Sequence, residues 1–260
     1  MKSVAGAGVV ITGGGSGIGA ALARRFAAEG ARVVVNDIDP GAAQQVAGSC
    51  GAEALPGDAA TEDGVATLID GAADLLDGID LFCANAGIGP EGGPEAPEDV
   101  WDACWQVNVM AHVRAARRLM PGWLAAGRGH LICTVSAAGL LTMLGSAPYS
   151  VTKHAALGFA EWLAASYAHR GITVQALCPM GVRTPMLAAA GPAGQALLAG
   201  SAVPPEAVAD AVVAAIADGR FLILPHPEVA AMYAHRADDP DRWLRGMGRL
   251  QQQVEGLPGG

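Results

Sequence analysis

The sequence predicts an α/β fold, read as one domain built on a doubly wound parallel sheet of about seven strands. Three features point there. Short β-branched runs alternate with longer Ala-rich stretches along the whole chain. The runs are apolar at successive positions, as in Arg32-Val33-Val34-Val35-Asn36, which suits strands covered on both faces. A glycine-rich segment, Thr12 to Gly19, separates the first run from the first helical stretch, at the carboxyl end of a strand where such sheets take ligands.

In chain order, Val9–Thr12 reads as the first strand, and Ile18–Glu29 as a helix with Leu22, Ala23 and Phe26 on one face and Gly30 as its stop. Arg32–Asn36 is the second strand, Pro40–Ala47 a helix, Glu53–Leu55 a brief third strand and Glu62–Leu76 a helix. Ile79–Ala84 is the fourth strand, followed by a Gly/Pro-rich loop over Ile88–Pro97. A long helical stretch runs from Glu98 to about Met120, where Pro121-Gly122 is expected to end it. Gly129–Val135 is the fifth strand, Pro148–His169 a helix and Ile172–Cys178 the sixth strand. Thr184–Ala199 and Pro204–Ala217 read as helical, with Phe221–Leu224 as the seventh strand. From Pro227 to Val254, spaced apolar residues such as Val229, Trp243 and Leu250 predict one or two amphipathic helices. The expected domain spans 1–260, with a core over 6–225 and a helical tail over 226–260.

Composition narrows the function. Of the 260 residues, 52% are hydrophobic and 16% charged, so the chain can bury a sizeable core. A net charge of −9 repels phosphate backbones, so no nucleic-acid partner is expected. The five cysteines (Cys50, Cys83, Cys104, Cys133, Cys178) show neither paired nor metal-ligand spacing. They are expected to be reduced, in a cytoplasmic protein, and no metal is expected. Apolar runs are short and interrupted, so no membrane span is expected, and the first residues lack a signal-peptide pattern.

Thr12-Gly13-Gly14-Gly15-Ser16-Gly17-Ile18-Gly19 joins a strand to a helix. A helix N-terminus offers free N–H groups and partial positive charge, so it can hold a pyrophosphate where glycine lets the backbone come close. Asp37 ends the second strand, eighteen residues beyond Gly19, where a carboxylate can accept both ribose hydroxyls of an adenosine. It would repel a 2′-phosphate, and no Lys or Arg lies at 13–19 or 36–40 to offset it. The expected cofactor is therefore NAD; Asp39 is a rival for the same role.

Tyr149 and Lys153 are four residues apart and share a helix face. A free phenol has a pKa of about 10, and a nearby ammonium is expected to lower it. A tyrosine so tuned exchanges a proton with an alcohol while hydride moves. Ser136, at the end of the fifth strand and thirteen residues before Tyr149, can hydrogen-bond a substrate oxygen or merely cap a turn.

In order, T-G-G-G-S-G-I-G, Asn85-Ala86-Gly87, V-N-V around Asn108, the strand-end Ser136, Y-S-V-T-K and C-P-M-G-V-R-T together resemble the short-chain dehydrogenase/reductase family over roughly residues 6 to 225. The resemblance implies a Rossmann-type fold, a homo-oligomer (tetramer or dimer) and a catalytic tetrad of Asn108, Ser136, Tyr149 and Lys153. Tyr149 would be the acid/base, Ser136 would polarise the substrate oxygen, Lys153 would bind the nicotinamide ribose and lower the Tyr149 pKa, and Asn108 would hold a relay water. It also implies a cofactor-binding set: Gly13, Ser16, Gly17, Ile18 and Gly19 at the turn; Asp37 and Ile38 after the second strand; and Asp58 and Ala59 at the adenine. Asn85, Ala86 and Gly87 would line the adenine side, and Pro179, Gly181, Val182 and Thr184 would meet the nicotinamide together with Tyr149 and Lys153. One departure stands out: Met180 occupies the usual glycine position of P-G-x-V-x-T, which puts that turn in question.

The expected substrate loops are 88–97, 137–148 and 186–200; the second contains Leu140, Leu141 and Met143 and the third is Met-, Leu- and Ala-rich without charge, which points to a hydrophobic or uncharged small-molecule secondary alcohol or ketone. Two other readings are an NAD-sensing or scaffold protein that keeps the fold, and a methyltransferase using S-adenosylmethionine; the Tyr149/Lys153 pair argues against both. His226, His235, Arg236, Arg242 and Arg245 in the tail are expected to pack rather than react. Trp101, Trp105, Phe159, Trp162 and Trp243 are expected in the core or at a subunit interface.

Overall fold

The computed structural model of the chain describes residues 1–256. Seven strands form one all-parallel sheet: β1 (Gly8–Ile11), β2 (Arg32–Val35), β3 (Glu53–Ala54), β4 (Leu81–Ala84), β5 (Gly129–Thr134), β6 (Ile172–Leu177) and β7 (Leu222–Ile223). Their order is β3-β2-β1-β4-β5-β6-β7, so the chain winds outward one way from β1 and the other way from β4. The register pairs Val9 with Leu81 and Ile11 with Cys83 at that reversal, which opens a crevice at the carboxyl edge.

The apolar runs give one side chain to each face in turn. Val9, Ile11, Val35 and Ile132 face the layer made by α1 (Gly17–Ala28), α2 (Pro40–Cys50) and α10 (Pro205–Asp218), whose Phe26, Val46 and Val212 pack on them. Val10, Phe82 and Leu131 face α3 (Glu62–Leu76), α5 (Ala111–Ala126) and α7 (Ala147–Tyr167), through Leu68, Trp123 and Leu163. Local chemistry sets the ends. Asp39 caps α2 by accepting from the N–H groups of Gly41 and Ala42, and Gly51 ends it at φ 70°. Thr61 accepts from Gly64 N–H at 3.0 Å to start α3.

The stretch from Glu98 differs from expectation. α4 (Glu98–Trp105) continues through a π-helical segment, Gln106–Met110, into α5, which passes Pro121 and stops at Ala126. Pro121 is exposed, and the carbonyl its missing N–H would have served belongs to Arg117 on the same exposed face, where water can satisfy it. Gly127, at φ 64°, makes the stop instead. Residues 184–199 form two short helices rather than one, α8 (Pro185–Ala188) and α9 (Pro192–Leu198), and a further short helix, α6 (Ala138–Leu141), follows β5. The tail forms α11 (Glu228–Asp238) and α12 (Pro240–Glu255), with Val229 joining the apolar cluster beneath α7. Trp105 and Trp162 are 41% and 58% exposed and so do not belong to the core.

A buried amide stitches the sheet to its cover. Gln175 on β6 accepts from His130 Nε2 on β5 at 2.8 Å and donates to the carbonyls of Ala215 and Arg220 at 2.8 and 2.6 Å. Gln175→Ala leaves these partners buried without it, so urea unfolding should show a loss of about 2–4 kcal/mol. A loss below about 0.5 kcal/mol, the range of ordinary surface changes, would refute the stitch.

Candidate active site

A cavity of about 540 Å³ runs along the carboxyl edge of the sheet. One end is lined by Asp37, Ile38 and Asp58, the middle by the glycine turn, and the other end by Ser136, Tyr149 and Lys153. The turn itself requires glycine at two places. Gly13 and Gly17 have φ of 60° and 50°, and a β-carbon on Gly13 would stand 2.9 Å from the Ala86 backbone. α1 starts at Gly17 with no side-chain cap from Ser16 and no acidic residue in its first turn. Its orphan N–H groups and partial positive charge therefore face the cavity beside Ser16, Gly17 and Ile18.

Thr12 holds this turn to the next strand. Its hydroxyl accepts from the backbone N–H groups of Asn85 and Ala86, both at 3.0 Å. Asn85 answers by donating to the carbonyls of Thr12 and Gly13, and accepts from the Thr134 hydroxyl at 3.1 Å. The Asn85 side chain is thus committed to the scaffold. The three residues of the Asn85-Ala86-Gly87 motif also divide their positions: Gly87 lies against Asn108 Oδ1 and Lys153 Nζ rather than at the Asp37 end.

Of the two rival carboxylates, Asp39 is spent as the α2 cap, while Asp37 is half-buried and lines the cavity. Asp37 is oriented by accepting from Gly15 N–H at 2.9 Å and Asp39 N–H at 3.0 Å, which leaves lone pairs on both oxygens. Asn36 donates to the carbonyls of Leu55 and Gly57, so that Asp58 and Ala59 come to the same wall. Ile38, 73% exposed, forms the rim.

The four residues of the implied tetrad come together, with one difference in electrostatics. Lys153 is 3% exposed; its Nζ donates to the Thr134 carbonyl at 2.9 Å and lies 5.5 Å from the Tyr149 ring centroid. Burial pushes the Tyr149 phenol above its ordinary value, and the hydrogen bond from Ser136 opposes it. The expected lowering by Lys153 does not prevail, because the ammonium is turned to a carbonyl and is itself pushed down to about 8 by burial. Ser136 lines the cavity, and its Oγ also makes the turn contact expected of a cap, accepting from Ala138 N–H at 3.0 Å. Asn108 is fully buried in the π-helical segment, where it donates to the Ile88 carbonyl at 2.9 Å and accepts from Ile88 N–H at 3.0 Å.

The turn around Met180 forms with help from the tail. Met180 N–H donates to His226 Nδ1 at 3.2 Å, and Gly181 and Arg183 pair with Val203. Thr184 accepts from Leu187 N–H at 3.3 Å to start α8, and packs against Gly17. Pro179, Gly181, Val182 and Thr184 all line the cavity. His226, 2% exposed, was not foreseen as a support, since nothing in its local pattern links it to Met180. His235, Arg242 and Arg245 do not line the cavity, and Arg236 reaches the Leu140 carbonyl and His154 behind it. Among the described residues no helix is long and apolar enough to cross a membrane.

Comparison with known proteins gives a consistent picture. The family model described as short chain dehydrogenase matches residues 7–194. A 1-deoxy-11-beta-hydroxypentalenate dehydrogenase from Streptomyces exfoliatus is 37% identical over an alignment of 243 residues that covers 88% of this chain and 86% of that one. A 2,5-dichloro-2,5-cyclohexadiene-1,4-diol dehydrogenase from Sphingobium indicum is 33% identical over 192 residues, 72% of this chain and 77% of that one. The crystal structure of a short chain dehydrogenase/reductase from Burkholderia phymatum in complex with NAD superposes with a TM-score of 0.85 at 29% identity, covering 93% of this chain and 96% of that one.

The buried Lys153 makes stability depend on pH. Its folded pKa is about 8 against an ordinary 10.5, so between those values the unfolded chain holds a proton that the folded chain has released. Stability of the native chain should therefore rise with pH across about 8 to 10.5, relative to a Lys153→Met variant that lacks the group. Below about 8 the difference between the two should be flat. Urea titrations of both proteins across this range check it; a constant difference throughout would contradict it.

Proposed function

The chain belongs to the short-chain dehydrogenase family of oxidoreductases, and from that premise we propose that it interconverts a hydrophobic or uncharged secondary alcohol and its ketone with NAD. The reading is carried by one observation. Ser136, Tyr149 and Lys153 converge on the same cavity whose middle holds the open α1 N-terminus and whose far end holds the oriented Asp37 carboxylate.

The residues present fit a dinucleotide. The uncapped turn at Ser16, Gly17 and Ile18 suits a pyrophosphate, and Gly13 permits the close approach. Asp37 has free lone pairs for two ribose hydroxyls, and no cation beside it would receive a 2′-phosphate. Asp58 and Ala59 are assigned to the adenine, with Asn85 and Ala86 beneath the turn. Pro179, Gly181, Val182 and Thr184 are assigned to the carboxamide end. When bound, the nicotinamide supplies the hydride acceptor or donor.

The remaining steps belong to the chain. Ser136 Oγ holds the substrate oxygen, and Tyr149 takes its proton in oxidation or gives one in reduction. Burial leaves the phenol reluctant to ionise, so in oxidation its own proton must leave through the relay before the alcohol's proton arrives, and the Lys153 ammonium, 5.5 Å from the ring centroid, favours the phenolate that accepts it. Lys153 is assigned to the nicotinamide ribose as well. Asn108 fixes the Ile88 peptide beside Lys153 and takes the relay position that returns the proton toward solvent. We further infer one domain over 1–260 and a cytoplasmic homo-oligomer, for which the exposed Trp105 and Trp162 offer apolar contact.

Tyr149→Phe should lower kcat/KM for a hydrophobic cyclic secondary alcohol by about 10²–10⁴, with the thermal transition within a few degrees of the parent. Full turnover in that variant would overturn the mechanism. For the cofactor, kcat/KM with NAD should exceed that with NADP by at least about tenfold, and Asp37→Ala should narrow the ratio. A preference for NADP in the native chain removes Asp37 from its role.

A further inference from the structure

Among the described residues, the charged side chains that line the cavity are Asp37, Asp58, Lys153 and Glu91. The first three have roles above; Glu91 has none. It stands at the mouth, beside a wall made by Leu144, Met186, Leu187 and Leu198.

Its position is fixed on both sides. The Pro90 carbonyl accepts from the Ser146 hydroxyl. Gly92 N–H donates to the Gly145 carbonyl at 3.0 Å, and the Gly92 carbonyl accepts from Ala147 N–H at 2.8 Å. Gly92 has φ 129°, a conformation that side chains rarely adopt. Glu91 thus projects from a loop clamped to the start of α7. Across the mouth its Oε1 accepts from Gly191 N–H, just ahead of α9, at 2.6 Å. A β-carbon on Gly191 would collide with the Glu91 carboxylate, so the two positions are fitted to each other.

We propose that Glu91 is a specificity-determining residue that favours uncharged hydroxy or keto substrates over those carrying an anionic group away from the reacting carbon. The inference rests on the oxidoreductase reading above and names its substrate class. An anion entering this half of the cavity meets a fixed negative charge at the mouth. The cation lining the cavity, Lys153, is buried and already donates to Thr134. At a separation of some 6 Å near a protein surface, such repulsion, about halved by screening at physiological ionic strength, corresponds to a discrimination of about tenfold, and higher salt weakens it further. The carboxylate does not discriminate among neutral molecules by charge, so the effect is selective where a purely structural role would be uniform.

The test uses the full chain with NAD and a matched pair, 4-methylcyclohexanol and 4-hydroxycyclohexanecarboxylate. Both kcat/KM and, with NADH present, the Kd of each corresponding ketone are measured in the native protein and in Glu91→Gln. Glutamine keeps an oxygen to accept from Gly191 N–H, so charge is removed while the contact across the mouth persists. The neutral-over-anionic ratio should fall about tenfold in Glu91→Gln, and raising salt to about 0.5 M should compress it in the native protein. A ratio that stays within about twofold on substitution, or no binding of either ketone, overturns the proposal. If the ketones bind with the expected ratio but neither alcohol turns over even in the native protein, the oxidoreductase reading fails and the charge selection stands.

Discussion

A buried ammonium joined to the end of a central strand organises the cavity. Lys153 Nζ donates to the Thr134 carbonyl at 2.9 Å, in a position only 3% exposed. A charge so placed is costly unless it has partners, which is why burial drives Lys153 down to about 8. That contact ties α7, already packed on the sheet through Ala156, Ala160 and Leu163, to the end of β5, with the Tyr149 ring near the amine and Ser136 beside it. Electrostatic readiness and fold stability pull in opposite directions here, as they do at many reactive sites.

The rest of the edge is held by side chains that reach backbone rather than ligand. Thr12 takes the amides of Asn85 and Ala86, Asn85 returns to the glycine turn, and Asn36 gathers the loop carrying Asp58. The Thr12 and Asn85 links cross the reversal point between β1 and β4, where a doubly wound sheet is necessarily open, and the Asn36 link ties the end of β2 to the segment after β3. Thr12, Asn85 and Asn36 are thus bracing, and they leave backbone N–H groups and the Asp37 and Asp58 carboxylates to face this half of the cavity. A rigid edge costs little reorganisation when a ligand arrives.

Much of this was legible in the residues themselves. The limits of α3 matched the hydrophobic periodicity residue for residue, and the alternation of runs and Ala-rich stretches foretold the strand count. Strand-end positions singled out Ser136 and Asp37, because chain order alone puts them at the carboxyl edge. Other features were hidden for physical reasons. Pro121 is helix-breaking by propensity, yet an exposed carbonyl partner makes it tolerable in α5. His226 supports Met180 from forty-six residues away, and Glu91 meets Gly191 from one hundred, so no local spacing reveals either. The sign of the Tyr149 shift was missed because spacing shows that an ammonium is near but not how deeply the phenol is buried.

The π-helical segment has a consequence of its own. Ala111 N–H donates to the Gln106 carbonyl, so this turn holds one residue more than an α-turn would. Relative to an unbroken α-helix, that surplus residue shifts the phase of everything after it by about 100°. Asn108 lies inside the widened turn, aimed at Ile88, while α4 before it and α5 after it each keep their own apolar side inward. Removing one residue from this stretch would restore ordinary winding and force a choice: either the helix halves stay packed or the amide keeps its target, but not both. The widened turn is therefore a length constraint written into the chain, one that tolerates exchange of side chains far better than loss of a single position.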